Sequence, residues 1–131
     1  MAVDCLVLDS EGLSRAARRE RRMTALLAAA HAQGIRVVTS AMTLIEAYHG
    51  QVRREAWAWA MSRVVVEPVS REVADEAVAL LADAGLHGHK YAIDAALAVI
   101  AGQQRGNVVV YTSDVDDLRK LCAGRVVVRG L

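Results

Sequence analysis

Short aliphatic runs, each followed by a helical stretch, recur along the whole chain, and this alternation limits the fold more than any other feature. Ala2–Leu8 (AVDCLVL), Ile35–Val38 (IRVV), Val64–Val66, Asn107–Tyr111 (NVVVY) and Arg125–Val128 (RVVV) have the apolar density of strands buried on both faces. Between them the spacing predicts helices. Gly12 to Gln33 is expected to form two, stopped by Gly34, with Ser10 available as a cap. Ser40 opens a helix to His49, ended by Gly50, and Gln51 to Ser62 forms another. Pro68 closes the third strand, Ser70 caps a helix to Ala84, and Gly85 ends it. Lys90 to Gln104, ended by Gly106, and Asp114 to Cys122 complete the set. The expectation is a three-layer α/β/α domain with a mostly parallel central sheet of four to five strands. At 131 residues, positions 1–131 make one domain.

Hydrophobic residues make up 54% of the chain, yet only 4% are aromatic and none is Phe. The core must therefore be aliphatic, as suits helices on a parallel sheet, and this balance argues against disorder. The net charge of +1 neither demands nor excludes a nucleic-acid partner, because patches matter more than totals. Cys5 and Cys122 lack metal-type spacing and lie in or beside apolar segments, the pattern of two buried thiols in a reducing compartment. No run of ~18 apolar residues predicts a membrane span. The N-terminus enters a strand pattern without the basic start and apolar stretch of a secretory leader, so a cytoplasmic location is expected.

Four acids stand out by position. Asp9 follows the first strand directly, and Asp114 follows the fourth, two residues after Thr112. Ligands of open parallel sheets sit outside the carboxyl ends of the strands. Glu46 lies about two turns into the helix after the second strand, within reach of the same edge. Asp94 lies in KYAIDAALAVIAG, a helix apolar nearly all round and so expected to be buried. A lone ionised carboxylate there is costly unless paired or bound to a cation. Each acid also has a purely structural reading. Asp9 and Asp114 are plausible helix caps, and Thr43-x-x-Glu46 has capping-box spacing, although Ser40 is an equally good cap. Asp94 can be a first-turn acid favoured by the helix dipole. Together, acids converging on one edge would repel and raise their own pKa values, a penalty that a divalent cation removes. Oxygen ligands with few His or Cys select Mg²⁺ or Mn²⁺.

VLDS at Val7–Ser10, TLIEAYHG at Thr43–Gly50, YAIDAALAVIA at Tyr91–Ala101 and YTSDVDDLRKL at Tyr111–Leu121 occur in one order over nearly the whole chain. In this the sequence resembles the PIN-domain family, and within it the VapC-type toxins of bacterial toxin–antitoxin pairs. The resemblance implies a PIN-like fold and a metal-dependent endoribonuclease using Mg²⁺ or Mn²⁺. Its metal-binding acids map onto Asp9, Glu46, Asp94 and Asp114, with Asp117 a possible fifth and Asp116 facing solvent. Thr112 matches the hydroxyl residue before the last acid, and Ser10 stands where many members carry Thr or Ser. Glu11 departs from the pattern as an extra acid, which either perturbs the site or only starts the helix. The resemblance further implies a homodimer and a cognate antitoxin that inserts a segment into the acidic pocket.

The chemistry needs these residue types because a phosphodiester repels an attacking hydroxide until bound cations neutralise it. Asp9, Asp94 and Asp114 are the expected ligands, and Glu46 a ligand or the base that orients water. RNA must also be gripped by cations. Arg15, Arg18, Arg19, Arg21 and Arg22 form a dense run that either contacts phosphate, docks an acidic partner or is a solvated face. Lys90 or His89, ahead of the Asp94 helix, can serve phosphate as well. Trp57 and Trp59 cannot share one helix face, so at least one is expected to be exposed or at an interface. Two other classes remain open: an inactive PIN-like module that docks RNA or a protein, and a different acid-pocket protein such as a phosphotransfer receiver or small phosphatase. The latter has no use for Asp94, and the Lys it needs near a late strand end is missing.

Overall fold

The computed structural model describes residues 2–131. Its strands are β1 (Cys5–Leu8), β2 (Arg36–Ser40), β3 (Val65–Glu67), β4 (Val108–Thr112) and β5 (Val127–Gly130). They form one five-stranded sheet in the order β3-β2-β1-β4-β5, and every pairing among them is parallel. The helices are α1 (Ser10–Ala17), α2 (Arg21–Ala32), α3 (Ala41–Ala47), α4 (Arg54–Arg63), α5 (Arg71–Ala84), α6 (Gly88–Gln103) and α7 (Val115–Cys122). The α/β/α architecture is the one the alternation demanded, with the sheet at the upper end of the expected size.

The pleat of β1 divides the core. Cys5 and Val7 face a cluster with Leu80 of α5, Ile100 of α6 and Leu121 of α7, whereas Leu6 and Leu8 face one with Ala16 of α1, Leu27 of α2 and Ala60 of α4. Both faces are thus covered, which a central parallel strand requires. Ala95 to Ala101 of α6 are buried without a break, while Gly88 to Lys90 are exposed. The helix therefore emerges from the core through its second turn. Cys5 and Cys122 are buried free thiols.

Several boundaries differ from the sequence expectations, each for a local reason. β1 begins at Cys5 because Asp4 clips the turn before β4: its carboxylate accepts the Asn107 N–H at 2.7 Å. Gly106 adopts φ +82° there, and a Cβ would overlap Asp4. Gly106 is thus a turn residue and not the stop of α6, which already leaves helical geometry at Gln104. Gly50 likewise stops nothing, because α3 ends at Tyr48 in extended backbone, and α4 starts only at Arg54. Asp9, not Ser10, caps α1. Trp57 and Trp59 are both half-buried rather than exposed. Trp57 meets Tyr48 edge-on at 5.5 Å, and Trp59 lies under Arg19 at 5.0 Å and Arg63 at 5.7 Å. Among the described residues no helix is long and apolar enough to cross a membrane.

Candidate active site

From β1 the chain first builds outward to β2 and β3, then returns to place β4 on the other side of β1. The connections leave β1 and β4 in opposite directions, which opens a crevice at their carboxyl ends. Asp9 is the first residue beyond β1, and Asp114 the second beyond β4.

Asp9 is 5% exposed, and both its oxygens are engaged. Oδ1 accepts the Gly12 N–H at 2.9 Å, capping α1, and Oδ2 accepts the Ser113 N–H at 3.0 Å. One carboxylate therefore ties the start of α1 to the loop after β4. The capping role is real, yet it does not exhaust the group: Oδ1 keeps a further lone pair, and the second donor on Oδ2, the Ser113 hydroxyl, stands off at 3.5 Å. Thr112 is fully buried, and its Oγ1 accepts the Asp114 N–H at 2.8 Å. That bond sets the turn that presents Asp114. Asp114 occupies the cap position of α7, but its side chain makes no capping hydrogen bond.

Glu46 also loses its structural reading. Ser40 Oγ accepts the Thr43 N–H at 3.0 Å and lies 3.0 Å from Thr43 Oγ1, so Ser40 is the cap and the Thr43-x-x-Glu46 box does not form. Glu46 stands exposed in the last turn of α3. Asp94 falls in the second turn of α6, beyond the first turn where a helix dipole acts most strongly. Half-buried, its carboxyl is pushed up to about 6, first by burial and then by the negative charges of Asp114, Asp9, Glu46 and Asp117. Four acids from three separate parts of the chain thus act on one carboxyl. Asp117 is half-buried and among them; Asp116 is exposed and is not.

The donor chemistry suits a hard divalent cation: oxygens only, around a half-buried acid that forms no ion pair among the described residues. Among the described residues no three His, Cys, Asp or Glu side chains stand close enough to enclose an ion by themselves. Mg²⁺ keeps several of its waters in such sites and is held by few direct carboxylates, so a loose acid ring fits it better than a closed cage.

The basic residues divide. Arg15 pairs with Glu11 at 3.1 Å and Glu20 at 3.5 Å, and Arg18 with Glu11 at 3.3 Å. The hydrogen bond from Arg15 holds the Glu11 carboxyl below its usual range, and Glu11 is not among the charges that act on Asp94. Its presence starts a helix and anchors two arginines. Arg19 stacks on Trp59, and Lys90 lies exposed, 5.2 Å over Tyr91, at the start of α6. Ser10 is the half-buried first residue of α1, and His87 and His89 are exposed.

Two polar residues of this edge escaped the sequence reading. Ser113 supplies the N–H that holds Asp9, and Thr39 Oγ1 donates to the Leu8 carbonyl at 2.8 Å, pinning β2 to the residue before Asp9. A hydroxyl at the end of an aliphatic strand, as in VVTS and VVYTS, is the signal that could have found them.

Residues 6–123 match the family model described as PIN domain. Among solved structures, the chain is similar to one described as VapBC2 from Rickettsia felis bound to a DNA fragment from their promoter. The TM-score is 0.69 at 12% identity, over 97% of this chain and 98% of that one, a likeness of fold. No curated protein matches the chain significantly.

Proposed function

The chain belongs to the PIN-domain family, whose members are generally nucleases, and from that premise we propose that it is an Mg²⁺- or Mn²⁺-dependent endoribonuclease. The observation that carries the reading is Asp94, a half-buried carboxyl pushed up to about 6 by burial and by four other acids. Such crowding is destabilising for a fold and useful for binding a cation.

Asp9, Asp94 and Asp114 would hold the ion directly or through water, Glu46 would be a ligand or the base that orients the attacking water, and Asp117 would assist. The ion would neutralise the phosphoryl oxygens and lower the pKa of water. Gly12 and Ser113 fix Asp9 through their N–H groups, so that this carboxylate cannot swing away as substrate arrives. Thr112 fixes the backbone of Asp114, and Ser10 borders the site at the start of α1. A half-buried position for Asp94 limits water around the charge and strengthens its hold on a cation.

The resemblance to VapC-type toxins and the fold likeness to VapBC2 support the narrower reading: the toxin of a type II toxin–antitoxin pair, cytoplasmic, homodimeric and restrained by a cognate antitoxin. An acid-rich crevice gives a cationic antitoxin side chain a natural seat.

Labelled RNA with and without Mg²⁺ or Mn²⁺, beside Asp94→Asn, tests the activity. Cleavage should require the ion and vanish with chelator, and the variant should lose a hundredfold or more, roughly the scale of removing one key charge-stabilising group, while its circular dichroism stays that of the wild type. Equal cleavage by both proteins would sink the assignment, and wild-type RNA binding without cleavage would point to the inactive docking module.

A further inference from the structure

The far end of α1 borders a second feature. A hollow of about 650 Å³ opens between that end and the loop that leads from α3 into α4. Buried Ala17 and Ala56 lie in its lining, and exposed Arg18, Arg19, His49 and Arg53 surround them. The size is that of an ordinary ligand site. Three guanidinium groups against one carboxylate, Glu55, leave the lining clearly cationic.

These cations are not equally engaged. Arg18 shares Glu11 with Arg15. Arg19 and Arg53 have no carboxylate partner among the described residues. Arg19 adopts φ +58°, a left-handed conformation that costs a non-glycine residue about 1 kcal/mol. The same turn breaks α1 from α2 and lays Arg19 on Trp59. Arg53 sits at the cap position of α4 without a side-chain hydrogen bond to the first turn. The N–H groups of that turn, at the hollow's wall, thus add partial positive charge.

Position links the hollow to the crevice. Asp9 caps the start of α1 and Arg18 its end, about 14 Å away at 1.5 Å per residue. Glu46 and His49 are three residues apart at the end of α3. A polyanion crossing the acids and continuing along α1 passes the Glu11–Arg15 pair and then reaches Arg18, Arg19 and Arg53. Tyr48, 60% exposed and packed on Trp57 only by an edge contact, offers a ring beside that path for base stacking.

We propose that this hollow binds the phosphate backbone of single-stranded RNA beyond the cut, holding the strand across the acid crevice. The assignment rests on the nuclease reading for its direction, but its test does not need cleavage.

Binding of a short fluorescein-labelled single-stranded RNA of mixed sequence is followed by anisotropy in chelator, so that the RNA stays whole. Arg53→Glu should weaken binding about tenfold at low salt, and the log–log salt slope should become shallower by about 0.7 for each phosphate that the variant no longer neutralises. Gln51→Glu, on the exposed loop lining the hollow, adds an opposing charge while leaving every arginine in place and should weaken binding in the same direction. Wild-type affinity and slope in both variants would overturn the proposal, as would a wild type that fails to bind RNA at low salt. Unchanged RNA binding with abolished binding of a poly-glutamate peptide would assign the hollow to an acidic protein segment instead. Loss of RNA binding in the variants of a protein that never cleaves would leave the hollow standing and remove the nuclease.

Discussion

Glu11 stands two residues from Asp9 in sequence, and Asp94 stands far from it, yet Asp94 feels the Asp9 charge and Glu11 sits in a different environment. Glu11 meets Arg15 at one helical turn and Arg18 at two, and the first of these bonds holds its carboxyl below the usual range. Asp94 is half-buried, the charges that act on it most are negative, and its carboxyl is pushed up to about 6. An acid used for structure is neutralised in place by the chain itself. An acid left crowded waits for a cation that the chain does not supply. Asp9 lies between these cases, because two backbone N–H groups neutralise it in part while its neighbours remain acidic.

The comparison breaks most visibly at Asp9. Asp9→Ala removes the acceptor of the Gly12 and Ser113 N–H groups at a buried position. A lost cap at a buried N–H plus a lost hydrogen bond at the part-buried Ser113 N–H amounts to about 2 kcal/mol. Chemical denaturation in chelator should show that loss, with Asp9→Asn losing less because its amide oxygen can still accept. Should the alanine variant prove as stable as wild type, the carboxylate does not tie α1 to the β4–α7 loop.

Asp94→Asn should act with the opposite sign. The folded pKa of about 6 lies above the ordinary value of 3.8, so ionisation is disfavoured by folding. The resulting deficit is absent below pH 3.8 and complete above about pH 6. Removing the charge should therefore stabilise the metal-free protein near pH 7.5 and leave it unchanged near pH 3. After discounting for solvent screening of a half-buried group, the gain is on the order of 1 kcal/mol, or about 4 °C in the melting midpoint. Mg²⁺ should then raise the wild-type midpoint and not the variant's. A variant that melts below wild type in chelator at pH 7.5 would show that Asp94 is stabilising, and the crowding argument would fail.

How far this was legible in the sequence depends on the range of the interaction. The sheet follows from local aliphatic density, and Gly85, at φ +67°, ends α5 where the pattern placed it. Gly50 and Gly106 misled, because a glycine past a helix is indistinguishable in sequence from one needed by a turn, and only contact with Asp4 decides Gly106. Asp94 was singled out by its apolar helix alone. Asp9, Glu46 and Asp114 could each be read as caps, and only geometry shows that Ser40 takes the capping role from Thr43 and that Asp114 caps nothing. The arginine run looked uniform. Arg15 and Arg18 share Glu11 while Arg19 lies on Trp59, and that break depends on the left-handed turn at Arg19, which no residue type there announced.

The smallest effect is expected at Glu11. Glu11→Gln removes two ion pairs whose members are 30–48% exposed. Pairs of this kind contribute about 0.5 kcal/mol or less, and salt screens them. The folded carboxyl lies below its usual value, so the contribution is present at neutral pH and fades as the group is protonated in acid. The variant should lose a few tenths of a kcal/mol at neutral pH and low salt, and nothing in high salt. Metal-dependent cleavage should be unchanged within about twofold, since the Glu11 charge is already offset by Arg15 and Arg18. A loss of cleavage as large as that of Asp94→Asn would place Glu11 among the crevice acids and erase the distinction between paired and crowded carboxylates.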